Sequence, residues 1–191
     1  DYSFVRWYLD KGYSVFMVSW VNPDRDLATK TFEDYVFDGI DRAVQTVCSI
    51  TKSPKINAMG FCIGGNLLSF LSAYYADSPH NPLGSTTYLA TLFDFEKSGD
   101  LGVFIDENQL DVLEKRLDKK GYMDGQLLAR TFNLLRANDL IWSFVINNYL
   151  LGEEPGAFDL LYWNSDSTNL PSSMFLYYLR ELFLKNKLIK P

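Results

Sequence analysis

The chain has 191 residues, 47% hydrophobic and 22% charged, enough for one domain with a sizeable core and too apolar for a disordered segment. Its net charge of −6 leaves a nucleic-acid role dependent on a local basic patch, and the one basic cluster, Lys115, Arg116, Lys119 and Lys120, reads as charge complementing a helix C-terminus. No apolar run approaches the roughly 20 residues of a membrane span, and the two cysteines, Cys48 and Cys62, give neither a disulfide framework nor a metal spacing, so a reducing cytoplasm and no metal are expected.

The opening Asp1-Tyr2-Ser3-Phe4-Val5-Arg6-Trp7 carries neither a start methionine nor a secretory signal. It reads as the inside of a helix, so the sequence is expected to be an excerpt of a longer gene product. A helix is predicted over residues 2–11, with Gly12 as its stop. Residues 13–20 (YSVFMVSW) form a β-branched and aromatic run predicted to be a strand buried on both faces. Asn22-Pro23-Asp24 breaks it. Thr31 and Asp34 then make a capping pattern ahead of Val36, Ile40, Ala43, Val47 and Ile50, whose spacings of four and three predict an amphipathic helix.

After Pro54, residues 56–61 are predicted to form a second strand. A helix follows over residues 64–77 with Leu67, Leu68, Leu71 and Tyr75 inward. A loop carries His80, the single histidine of the chain, and a third strand is predicted over residues 86–93. Strand and helix alternating in this way indicate a parallel α/β sheet. Beyond Phe95 the texture changes. Helices are predicted over residues 106–120 (acids first, bases last, closed by Gly121), 126–136, 140–151 and 172–185. Asn138 and Asp139 are expected to cap the third of these. Nearly 100 residues without a convincing strand read as a helical insertion or cap. The division expected is therefore residues 1–95 as sheet core and 96–191 as cap of one catalytic domain.

Gly60-Phe61-Cys62-Ile63-Gly64-Gly65 fits the nucleophile elbow Gly-x-Nuc-x-Gly, with cysteine in the usual serine position and with a strand before and a helix after. The elbow forces its nucleophile into a strained strand-to-helix turn, and side chains at the flanking positions would meet the neighbouring chain. Gly60, Gly64 and Gly65 are therefore taken as elbow glycines. The helix dipole is expected to lower the Cys62 pKa, and the Ile63 backbone N–H to face a developing oxyanion. Cys48, inside an amphipathic helix with no glycines around it, reads as packing. Cysteine rather than serine favours transfer over hydrolysis, because exchange of one thioester for another is nearly thermoneutral and leaves the acyl group activated.

Several stretches now converge on one family. Val15-Phe16-Met17-Val18-Ser19-Trp20-Val21-Asn22-Pro23-Asp24, the elbow, Phe93-Asp94-Phe95, Gly102-Val103-Phe104-Ile105-Asp106-Glu107, residues 135–142 and residues 159–166 resemble class I polyhydroxyalkanoate synthases over most of the chain. The resemblance implies an α/β-hydrolase-type parallel sheet, partial here, with a helical cap. It implies an acyltransferase that polymerises (R)-3-hydroxyacyl-CoA, typically 3-hydroxybutyryl-CoA, into polyester on cytoplasmic granules. The family's nucleophile maps onto Cys62. Its partners would be the acyl-CoA, the growing polyester with its granule surface, and a second copy in a homodimer. Coenzyme A is substrate, and no cofactor is implied.

The base and acid of that pattern are expected outside this chain. His80 lies past a helix about 20 Å long at 1.5 Å per residue, too far from Cys62 for a base that must come within about 3 Å. Asp94 invites two readings, an acid that orients a histidine or a turn and cap anchor. Trp163 reads as substrate-pocket lining or as core packing, and Phe104 and Ile105 as lid surface or core. Two other functions stay open: a cysteine-dependent thioesterase or lactone hydrolase on the same fold, and an inactive granule-associated protein.

Overall fold

The structure, a computed structural model, describes residues 3–135, 137–154 and 166–190. It divides into two compact units, Asp1–Val21 with Glu33–Thr91, and Asn22–Phe32 with Leu92–Pro191.

The first unit opens with helix α1 (Phe4–Asp10), capped by Ser3, whose hydroxyl accepts the Arg6 N–H. Residues 13–20, expected as a strand, form none. The run has strand-forming side chains, but its backbone finds no ladder partner among the described residues, and Tyr13, Phe16, Met17 and Val18 stay exposed. Propensity proposes a strand and pairing makes one. Trp20 anchors the end of the run: its ring lies so close to Gly39 that a Cβ there would sit 2.7 Å away. Helix α2 then runs through Tyr35–Asp41, wound with longer-range hydrogen bonds, into Arg42–Thr51. Val36 is buried, as the periodicity predicted, and Ile40, Ala43 and Val47 are half-buried, but Ile50 is exposed and Val44, outside the predicted face, is buried instead.

Strand β1 (Ile56–Phe61) falls where the sequence placed it. Helix α3 (Ile63–Tyr75) buries Leu67, Leu68 and Leu71, while Tyr75 is half-buried and donates its hydroxyl to Asp41 at 2.8 Å. Strand β2 (Leu83–Leu89) pairs parallel with β1, from Ile56 opposite Leu83 to Phe61 opposite Leu89. It starts and ends earlier than residues 86–93. The physical stop is Ala90, at φ 48°, which turns the chain out of the extended region directly after the last pair.

In the second unit, helix α4 (Glu107–Lys120) has the ends its charges called for. Asp106 accepts the Gln109 N–H at 3.0 Å, and Gly121 closes the helix at φ 87°. Beyond it lies a short antiparallel pair missed in the sequence, β3 (Tyr122–Met123) with β4 (Leu170–Pro171); two-residue strands carry no readable alternation. Helix α5 (Gly125–Leu135) follows, then helical turns Asn138–Trp142 and Val145–Leu150. Ala137 ahead of them is itself helical, so Asn138 lies inside a helical run instead of capping one. Helix α6 (Ser172–Tyr177) continues as Tyr178–Leu184. Leu110, Leu117, Met123, Phe175 and Leu179 form the core of this unit, with Ile105 packed on it and Phe104 left half-exposed.

Candidate active site

The sequence of β1 and α3 leaves a single residue, Cys62, to change direction between them. It does so at φ 50° and ψ −120°, a conformation that costs a non-glycine residue about 1–3 kcal/mol and persists only where its surroundings impose it. Neighbouring backbone imposes it here. The Cys62 N–H donates to the Leu89 carbonyl at the end of β2 at 3.0 Å, and its own carbonyl accepts the Gly65 N–H at 2.9 Å. Both backbone groups are thus committed, one to the strand side and one to the helix side, and the side chain is left exposed.

The glycines divide unequally. A Cβ on Gly60 would stand 2.5 Å from the Gly65 Cα and 2.7 Å from the Gly64 carbonyl oxygen, backbone that cannot yield. A Cβ on Gly65 would stand 1.9 Å from the Thr91 hydroxyl oxygen. Among the described residues nothing lies within 4 Å of that position at Gly64. The expectation that Gly64 is sterically required is therefore corrected. The tight approach is between Gly60 and Gly65, and no described residue closes on position 64.

The electrostatics also differ from expectation. Partial burial pushes the Cys62 thiol above its usual range, and no charged neighbour among the described residues offsets it. The direction is opposite to the lowering expected from the helix dipole, and its cause is the hydration that the thiolate loses to the surrounding protein. Such a thiol needs a base. Ile63 is the first residue of α3, so its N–H has no carbonyl four residues back within the helix to accept it and is of the type that can serve an oxyanion.

His80 is exposed in the loop after α3, its backbone N–H donating to the Ser78 hydroxyl at 3.3 Å. It sits at the far end of a 13-residue helix from Cys62, about 20 Å away along the axis. Asp94 lies beyond the end of β2. One of its carboxylate oxygens accepts both the Glu96 N–H at 3.0 Å and an Asn186 side-chain N–H at 2.8 Å. These bonds hold its carboxyl below the usual range, the Glu96 bond first. That geometry is a turn and an anchor. Trp163 lies outside the described residues. Cys48 is half-buried within α2. No helix among the described residues is long and apolar enough to cross a membrane. Sequence reasoning missed the Leu89 carbonyl and Thr91, and Leu-Ala-Thr at the end of a strand holds no local signal that would have found them.

A family model described as alpha/beta hydrolase fold matches residues 4–189. The chain is 44% identical over 188 residues to the poly(3-hydroxyalkanoate) polymerase of Methylorubrum extorquens, covering 98% of this chain and 31% of that protein. It is 43% identical over 188 residues to the poly(3-hydroxyalkanoate) polymerase subunit PhaC of Rhizobium meliloti, with the same coverage. Against the subunit of that name from Cupriavidus necator it is 42% identical over 194 residues, 99% of this chain and 33% of the other. The chain thus spans about a third of the length of these curated relatives. With a parallel strand pair, a crossover helix and a cysteine at the turn between them, the chain belongs to the alpha/beta hydrolase fold family.

Proposed function

We propose that this chain carries the nucleophile of an acyltransferase that polymerises (R)-3-hydroxyacyl-CoA, 3-hydroxybutyryl-CoA in the first instance, into polyester at the surface of cytoplasmic granules. The observation that carries the reading is Cys62, at φ 50° between β1 and α3 with both backbone groups committed. Identities of 42–44% to polymerases over almost the whole chain support the substrate class.

The chemistry follows from the residue. The Cys62 sulfur attacks the thioester carbonyl, the carbonyl oxygen takes the negative charge, and the Ile63 N–H donates to it. Collapse breaks the bond to coenzyme A, whose sulfur leaves with the proton that Cys62 gave up. The acyl-cysteine is again a thioester, so it retains the activation needed for a 3-hydroxyl group to attack it and form an ester. The raised thiol pKa means that a base must take the proton. His80 is the only histidine and stands at the wrong end of α3, so the proposed base histidine and its aspartate come from outside these residues. Asp94, already bonded, stays an anchor.

Incubating the full-length protein with 3-hydroxybutyryl-CoA and mapping the adduct by mass spectrometry tests the reading. The acyl group is expected on Cys62, with coenzyme A and polymer released. Cys62→Ala is expected to lower turnover by about 10,000-fold or more, while His80→Gln leaves it unchanged. Full turnover in Cys62→Ala, or acylation of Cys48, sinks the assignment. Free hydroxy acid without polymer assigns a hydrolase instead.

A further inference from the structure

We infer that Thr91 is a positioning residue for Cys62, holding the elbow from the strand side and the helix side at once; the inference rests on the reading of Cys62 as nucleophile. β2 ends at Leu89, and Ala90, at φ 48°, turns the chain back on itself. That turn returns the Thr91 hydroxyl to the Leu89 carbonyl, to which it donates at 3.2 Å. The same carbonyl accepts the Cys62 N–H at 3.0 Å. One acceptor, with two lone pairs, therefore carries both the nucleophile's amide and the Thr91 hydroxyl.

The other half of the contact lies across the elbow. Thr91 presses on Gly65 so closely that a Cβ there would be 1.9 Å from its hydroxyl oxygen and 2.8 Å from its Cβ and Cγ2. Gly65 is the residue whose N–H donates to the Cys62 carbonyl at 2.9 Å. Thr91 thus touches the acceptor that fixes the front of Cys62 and the donor that fixes its back. Two non-glycine residues at positive φ, Cys62 and Ala90, end the two paired strands side by side, and Thr91 is the side chain that ties one to the other. The hydroxyl bonds the Leu89 carbonyl, and the same oxygen, backed by Cβ and the methyl, fills the space that Gly65 leaves.

The test is a series at position 91 in the full-length protein. Readouts are kcat and KM with 3-hydroxybutyryl-CoA, iodoacetamide alkylation of Cys62 across pH, amide exchange of Cys62, and melting temperature. Thr91→Ala is expected to lower kcat about tenfold, with KM held within about twofold, since a small misplacement of a reacting atom costs rate before it costs binding. Cys62 amide exchange is expected to accelerate, and the alkylation profile to shift along pH. Thr91→Ser, which keeps the hydroxyl, is expected to recover kcat to within about threefold of the parent, and Thr91→Val, which keeps the volume, is not. Recovery by Val equal to that by Ser would show packing alone and overturn the inference. So would a fall in melting temperature with kcat and exchange unchanged. A parent protein that forms no adduct on Cys62 overturns the functional reading instead, and Cys62 amide exchange in the series then still decides whether Thr91 holds the turn.

Discussion

Cys62 and Asn186 both adopt positive φ without being glycine, at 50° and 53°, and they are held in different ways. Around Cys62 the constraint is mostly backbone against backbone: β1 meets the first turn of α3 at Gly60 and Gly65, and main-chain bonds fix both of its peptide groups. Around Asn186 the constraint is side chain reaching to distant backbone. Its carboxamide oxygen accepts the Phe95 N–H at 2.9 Å, its amide donates to Asp94 at 2.8 Å, and the residue is 4% exposed. The same device recurs through the second unit. Asn169 accepts the Gly125 N–H and donates to the Pro23 carbonyl, and the Ser172 hydroxyl donates to the Ala28 carbonyl. The strained turn at Cys62 is built mainly from backbone contacts, which have no rotamers to lose. A helical unit with little sheet uses polar anchors, each of which can be removed singly.

The widest separation is expected at the elbow. Gly60→Val should cost about 3 kcal/mol or more and abolish acylation, because backbone must move to admit the side chain. Gly64→Ala should leave stability unchanged or raise it by about 0.5 kcal/mol, as glycine replaced in an unobstructed helical turn usually does. Denaturant unfolding and coenzyme A release on the two variants check this. Equal damage from both would mean that the close approach does not lie where the geometry puts it.

The anchor at Asn186 comes next. Asn186→Gly keeps the positive φ and loses the carboxamide, whereas Asn186→Ala loses both. We expect about 2 kcal/mol for Gly, mostly from the unpaired Phe95 N–H, and about 1 kcal/mol more for Ala. Thermal or urea unfolding measures the difference, and a glycine variant as stable as the parent would remove the amide from the account. The bond to Asp94 is expected to persist into mild acid. Its carboxyl is held below the usual range, so the stability it contributes is present above the unfolded value and lost as pH falls through the lowered folded one.

The smallest effect is expected at Arg180, which donates to Asp111 at 2.7 Å, Glu114 at 2.8 Å and Glu107 at 3.3 Å. The three carboxylates are about half-exposed, so solvent screens the network. Arg180→Gln should cost about 1 kcal/mol at low salt and less at high salt. A loss that salt does not reduce would mark the guanidinium's packing, and not its charge, as the source.

Strand β1, the buried face of α3, the extent of α4 and the family itself were legible in the sequence. Each rests on local pattern: apolar period, acids first and bases last along α4, a closing Gly121, a glycine-flanked cysteine. Local pattern acts through the few residues on either side, and tertiary context did not override it there. Tertiary structure alone decided the rest. Residues 13–20 needed a ladder partner, β2 ended where Ala90 turned, and β3 and β4 exist because two distant segments meet. Which elbow glycine is tight depends on what lies across the turn, Gly65 for one and Thr91 for the other, not on the motif. The direction of the Cys62 pKa likewise depended on how much protein surrounds the sulfur. Contacts between residues far apart in the chain leave no period to read, so the sequence marked the Cys62 turn and only the fold showed what holds it.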